Sequence, residues 1–134
     1  MVIHSCEDLY NNPDLYDATY VGLTNEHSDD SFYQSLIKKD QNILYLGSGS
    51  GRLLKKLVTI NPNIIGVELA QPMIDNCKKI LPNAKVIHAN VLDLNLDQKF
   101  DLIIAPYRFI SHFDKSGLGK LFQVVAKHLI SGGK

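Results

Sequence analysis

From Asn42 onward the chain alternates short apolar runs with stretches in which apolar residues return every three or four positions. The runs fall at 42–46, 64–68, 84–88 and 100–105. Runs so short and so continuously apolar mark strands buried on both faces. Between and after them the helical period predicts helices over 51–60, 71–80 and 116–130. The first of these must stop before Asn61-Pro62 and the second before Pro82, because proline disfavours helix at the residue preceding it. Segment 89–99 has no helical period and reads as loop. Strand and helix in regular alternation predict βαβ units, hence an α/β fold with a parallel sheet. The first forty residues are polar, acidic and rich in tyrosine, with a single helical stretch at 30–39. They predict a helical cap over 1–40, ahead of a sheet-bearing unit over 41–134.

The first strand carries the chemistry. Ile43-Leu44-Tyr45-Leu46 runs straight into Gly47-Ser48-Gly49-Ser50-Gly51, and Arg52-Leu53-Leu54 opens the next helix. Glycines there let the backbone approach a ligand at a helix start. Twenty-one residues after Gly47, the second strand ends in Glu68. Parallel neighbours place both ends together, so a nucleoside-containing cofactor fits between them, with the carboxylate accepting two hydrogen bonds from a ribose diol. A dinucleotide fingerprint would need its third glycine at position 52, where Arg52 stands, which disfavours a nicotinamide cofactor.

The Gly-x-Gly-x-Gly turn, together with Gly66-Val67-Glu68-Leu69-Ala70-Gln71-Pro72-Met73, resembles the opening motifs of the class I S-adenosylmethionine-dependent methyltransferases. Val86-Ile87-His88-Ala89-Asn90-Val91-Leu92-Asp93 is similar to the family's adenine-reading stretch. Pro106-Tyr107-Arg108 followed by His112, and Phe32-Tyr33 before the first strand, resemble the small-molecule subgroup; the likeness covers residues 14–134. It implies a Rossmann-like doubly wound sheet of order 3-2-1-4, lacking the family's last three strands. It also implies methyl transfer from S-adenosylmethionine to a small-molecule acceptor, leaving S-adenosylhomocysteine. The resemblance places Gly47, Ser48, Gly49 and Gly51 at the methionine portion, Glu68 at the ribose, and Leu69 and Met73 at the adenine faces. Asn90 and Val91 fall at the adenine edge, and Ala105 with Pro106 borders the methyl group. Tyr45 stands where the family usually has an acid, and Asn90 where it usually has Asp.

Several residues keep two readings. His112 is either a general base or a helix-start residue packed between Ser111 and Phe113. Arg108 either holds an anionic group or pairs with Asp101 or Asp114. Tyr10, Tyr16, Tyr20 and Tyr33 either form an aromatic lid over the sulfonium, with Tyr16 and Tyr33 as cofactor contacts and Tyr16 near the chemistry, or simply seal the cap. Met73 is a cofactor contact only if Glu68 binds ribose, and otherwise packs its helix.

Composition narrows the class further. The chain has 134 residues, 45% hydrophobic and 21% charged, with a formal net charge of +0. One domain with a real core is expected, without a basic nucleic-acid surface, a membrane span or a signal peptide, and cytoplasmic by default. Cys6 and Cys77 lack any ligand spacing, so no metal site is expected. A sheet ending at the fourth strand would leave Leu102, Ile103 and Ile104 on a bare edge, which predicts a homo-oligomer or a second chain completing the sheet. The alternative to an enzyme is a cofactor-binding regulatory or partner-dependent module.

Overall fold

A computed structural model describes residues 6–21 and 29–134, and among these all side chains except those of residues 6, 7, 20 and 21. The expected contacts of Tyr20 and Cys6 lie outside the described residues. Four parallel strands form one sheet in the order β3-β2-β1-β4: β1 (Ile43–Leu46), β2 (Ile65–Glu68), β3 (Lys85–His88) and β4 (Leu102–Ile104). The register sets Leu46 beside Val67, Glu68 beside His88, and Ile43 beside Leu102. The strand ends that carry the glycine turn and the acid are therefore neighbours, as the sequence predicts.

All four residues of β1 are buried, and their side chains divide by the strand's period of two. Ile43 and Tyr45 join Leu53, Leu54 and Leu57 of α4 (Arg52–Leu57), Cys77 of α5 (Gln71–Ile80) and Ile37. Leu44 and Leu46 join Val67, Val91, Phe100 and Leu121, the last from α6 (Lys115–His128). Helices thus cover both faces, and a doubly wound sheet needs a strand apolar on both sides at its centre.

Helix limits follow local chemistry. Gly51, at φ +87°, precedes α4, which ends at Leu57 rather than 60. The buried Asn61 side chain lies just beyond and donates to the carbonyls of Lys38 and Gln41 at 2.8 Å each. Asp114 caps α6 by accepting from the Gly117 amide at 2.7 Å. That helix stops at His128 because Leu129 is extended and bridges Phe100. Within 89–99, Asn90 caps a single 3-10 turn, Val91–Asp93. The cap contributes α1 (Cys6–Tyr10), α2 (Pro13–Val21) and α3 (Asp29–Leu36), the last shorter than the expected 30–39.

The expectation of a bare β4 edge needs correction. Residues 128–134 lie alongside it: Phe100 donates to the His128 carbonyl at 2.8 Å, and Ile130 donates to the Phe100 carbonyl at 3.0 Å. Further along, the Ile103 amide donates to the Lys134 carbonyl at 2.8 Å, and the Lys134 amide to the Asp101 carbonyl at 3.0 Å. Residues 128–134 therefore satisfy the edge as far as Ile103. The ladder starts where α6 gives way to extended backbone at Leu129, and the left-handed Gly132, at φ +77°, lies between its two halves.

Candidate active site

Between β1 and α4, Gly47, Gly49 and Gly51 all adopt left-handed backbone, at φ +70°, +57° and +87°. Their surroundings differ. A Cβ on Gly47 would overlap the Phe109 ring, and one on Gly51 would lie 2.5 Å from the Cys77 sulfur. At Gly49 it would meet nothing within 4 Å. Two glycines admit protein neighbours, and only the middle one opens onto free space.

Glu68 ties this turn to the end of β2. Its Oε2 accepts from the Gly49 amide at 2.8 Å, and its Oε1 from the Leu69 and Ala70 amides at 2.9 Å each. A carboxylate offers about four acceptor positions. One remains here, on Oε2, where the sequence reading expects two for a ribose diol. Asn90 is similarly engaged, its side-chain oxygen accepting from the Leu92 amide at 3.0 Å. One acceptor position and the amide donors are left for a ligand.

The opposite wall follows β4. Tyr107 and Arg108 are both left-handed, at φ 56° and 59°, although neither is glycine. The turn presents Pro106, Tyr107, Phe109, His112 and Phe113 to the site. The cap closes the top: the Tyr10 hydroxyl and His112 Nε2 share a 2.9 Å hydrogen bond, and the Tyr10 and Tyr16 rings lie 5.6 Å apart. Ser50 of the glycine turn donates to Asp17 of α2 at 3.0 Å. These walls enclose a cavity of about 650 Å³, within the range usual for small-molecule sites. Among the described residues no lysine or arginine lines it, and no cluster of three His, Cys, Asp or Glu could hold a metal ion.

A protein-family model described as a methyltransferase domain matches residues 43–133, most of the chain and all of its sheet. The chain belongs to the class I S-adenosylmethionine-dependent methyltransferase family. Among curated relatives, an uncharacterized methyltransferase of Anoxybacillus flavithermus is 27% identical over 95% of this chain and 63% of its own length. The dTDP-3-amino-3,4,6-trideoxy-alpha-D-glucopyranose N,N-dimethyltransferase of Streptomyces venezuelae is 23% identical over 90% of this chain and 53% of its own. Among solved structures, Streptomyces venezuelae DesVI superimposes with a TM-score of 0.78 at 24% identity, covering 90% of this chain and 53% of that one. CalS10, an amino pentose methyltransferase of Micromonospora echinaspora, gives 0.77 at 21%, covering 87% and 52%. The chain thus spans about half to under two thirds of these relatives' lengths.

Within this methyltransferase domain, the predicted residues Tyr16, Gly47, Gly49, Glu68, Leu69, Asn90, Val91 and His112 all line the cavity. Others predicted for the site do not. Met73 is fully buried and packs its helix, while Gly51 backs onto Cys77. The Ser48 side chain turns down against Gly66, buried and without a hydrogen-bond partner among the described residues. Ala105 packs into the core beneath the turn, and the Tyr33 ring stacks edge-on behind Tyr107 at 6.2 Å. Arg108 is exposed, away from the cavity wall, and forms an ion pair with neither Asp101 nor Asp114. Those carboxylates serve the Asn42 and Gly117 amides instead. Tyr45 lies sealed under the turn, where burial pushes its hydroxyl pKa well up.

Sequence reasoning missed Asn11, Phe109 and Phe113 on the wall. The four-residue spacing of the two phenylalanines after Pro106 was the available signal. It also missed Asp30, a buried carboxylate behind the wall. Burial opposes its ionisation, but hydrogen bonds from Lys56 and Tyr107 and the charges of Lys56 and Arg52 hold its pKa below the ordinary 3.8. Desolvation and the bond to Asp30 push Tyr107 well above the ordinary tyrosine range.

Proposed function

We propose that this domain binds S-adenosylmethionine and transfers its methyl group to a small-molecule acceptor. The observation that carries this is the Glu68 carboxylate fixed to the Gly49 amide, on a cavity wall where Gly49 alone has open space above it. The donor set suits the cofactor. Glu68 Oε2 has one acceptor position for a ribose hydroxyl, Leu69, Val91 and Asn90 offer apolar and amide surface for adenine, and the Gly47–Gly49 backbone faces the amino-acid portion. When bound, S-adenosylmethionine supplies an electrophilic methyl group on a sulfonium. The protein's own task is then to align an acceptor and exclude water, a positioning effect worth up to about 7–11 kcal/mol.

The acceptor end is formed by Tyr10, Phe109 and His112, with ring centroids of neighbouring pairs 5.6 and 6.4 Å apart. An aromatic rim with no lysine or arginine among the described residues favours a neutral or cationic group at the methyl-accepting atom, and the named relative methylates the amine of a dTDP-linked amino sugar. His112 can accept a proton from the acceptor once its bond with Tyr10 yields. Calorimetric titration with S-adenosylmethionine, S-adenosylhomocysteine and NAD tests the cofactor; binding of NAD alone overturns the reading. Transfer of labelled methyl to a panel of amines and alcohols tests turnover.

A second reading, a cofactor-binding module without independent turnover, is favoured by Tyr45, which removes the acid usual beside the turn. Binding with no transfer to any acceptor class would support it.

A further inference from the structure

Asp30 sits in the first turn of α3, in the cap, and is 4% exposed. Its Oδ1 accepts from the hydroxyl of Tyr107, 77 residues later in the chain. Its Oδ2 accepts from Lys56 and lies 3.7 Å from Arg52 Nη1, both on the helix that leaves the glycine turn. The Arg52 guanidinium in turn lies over the Tyr107 ring, with Cζ 4.8 Å from the centroid. One buried carboxylate therefore joins the cap, the helix after the glycine turn and the turn after β4.

That last turn is where an anchor is needed. Two consecutive non-glycine residues in left-handed backbone persist only when their surroundings over-determine them. The Arg108 side chain is exposed and its residue is held only locally, its carbonyl accepting from the Ser111 amide at 2.8 Å and from Ser111 Oγ at 2.7 Å, whereas Tyr107 is held across the fold, at its hydroxyl by Asp30 and at its ring by Arg52 and Tyr33. The consequence of releasing Tyr107 falls on the cavity, because Pro106, Phe109 and His112 follow from the same turn. Asp30 does not line the cavity, so whatever it does there it does through Tyr107.

We propose that Asp30 is a positioning residue for the cofactor site, fixing the left-handed Tyr107–Arg108 turn so that the wall opposite the glycine turn keeps its binding geometry. This rests on the cofactor reading above, and two measurements keep the two apart. The first is S-adenosylhomocysteine affinity by calorimetry, for Asp30→Ala, Asp30→Asn, Tyr107→Phe and the Asp30→Ala/Tyr107→Phe pair. Asp30→Ala and Tyr107→Phe should each weaken binding about tenfold, with the pair no worse than Asp30→Ala alone, the signature of residues acting as a unit. Asparagine still accepts from the Tyr107 hydroxyl, so Asp30→Asn should recover most of the affinity even though it loses its ion pairs. Wild-type affinity in Tyr107→Phe, or equal losses for Ala and Asn at position 30, would overturn the proposal in favour of a general stabilising role.

The second measurement needs no ligand. Timed trypsin digestion followed by mass spectrometry should show the Arg108–Phe109 bond cut at least several-fold faster in Asp30→Ala and in Tyr107→Phe, with cutting after Lys99 unchanged. An unchanged rate at Arg108 would refute the anchor whatever the titration gives. Failure of the wild-type protein to bind S-adenosylhomocysteine, with Arg108 released as expected, would instead refute the cofactor reading.

Discussion

The turn after β1 and the turn after β4 face each other across one cavity, and both pass through left-handed backbone. The first does so with Gly47, Gly49 and Gly51, the second with Tyr107 and Arg108. Glycine adopts that conformation without steric cost, so the first turn needs little from its surroundings, and its Gly49 amide donates to Glu68. The second holds a conformation its residues resist, and depends on a carboxylate from the other end of the chain. One wall is written locally and the other by tertiary contact.

The sharpest way to break that contrast is at the glycines. Gly51→Val should destabilise the fold by about 3 kcal/mol or more, combining overpacking against Cys77 with left-handed strain. Gly49→Val should cost only the strain, about 1–2 kcal/mol, yet abolish S-adenosylhomocysteine binding. Urea unfolding of both variants beside calorimetry is the check; equal destabilisation would erase the distinction drawn between them.

Next in size is Glu68→Ala, which removes the proposed ribose acceptor and leaves three amides without their partner. An affinity loss of at least tenfold, about 1.5–3 kcal/mol, is expected for S-adenosylhomocysteine. Unchanged affinity would detach the carboxylate from the cofactor.

Acid titration probes the other wall. The folded pKa of Asp30 is lowered, so its contribution to stability is complete above the ordinary value of 3.8 and fades as pH falls through the lower folded value. The stability difference between wild type and Asp30→Asn should therefore be constant from neutral pH to about 5 and shrink below about 4. A difference that grows toward acid would contradict the direction of the shift. The smallest effect is expected for Arg108→Gly, which relieves strain at an exposed position and should raise stability by about 0.5–1 kcal/mol in urea melts.

The same contrast explains what the sequence revealed. The parallel βαβ units and the meeting of the glycine turn with Glu68 follow from apolar runs and glycine spacing, which are local signals read residue by residue, while the strand order and the doubly wound sheet come from the family resemblance. The N-terminal helices were visible only as a polar, tyrosine-rich segment, and of its tyrosines the structure sets Tyr10 and Tyr16 on the cavity but Tyr33 behind it. Arg108 and Tyr107 show the limit most clearly. The motif points to the arginine, but the reversed backbone turns it to solvent and brings its neighbour to the wall. Nothing in the spacing of Asp30 and Tyr107 announces their bond. The β4 edge was misjudged for a similar reason, since Ser131-Gly132-Gly133-Lys134 has no strand pattern and pairs only because the sheet is already there.

The distance along the chain between Asp30 and Tyr107 also has a kinetic meaning. Lys56 is 26 residues from Asp30, and Tyr107 is 77. Closing the larger loop costs more chain entropy, so the contact with Lys56 can form while Tyr107 is still unplaced. The wall after β4 would then be the last part of the molecule to set during refolding and the first to loosen during unfolding. Tyr107→Phe should leave the refolding limb of a chevron plot nearly unmoved and raise the unfolding limb, placing the completion of the site after the main barrier to folding.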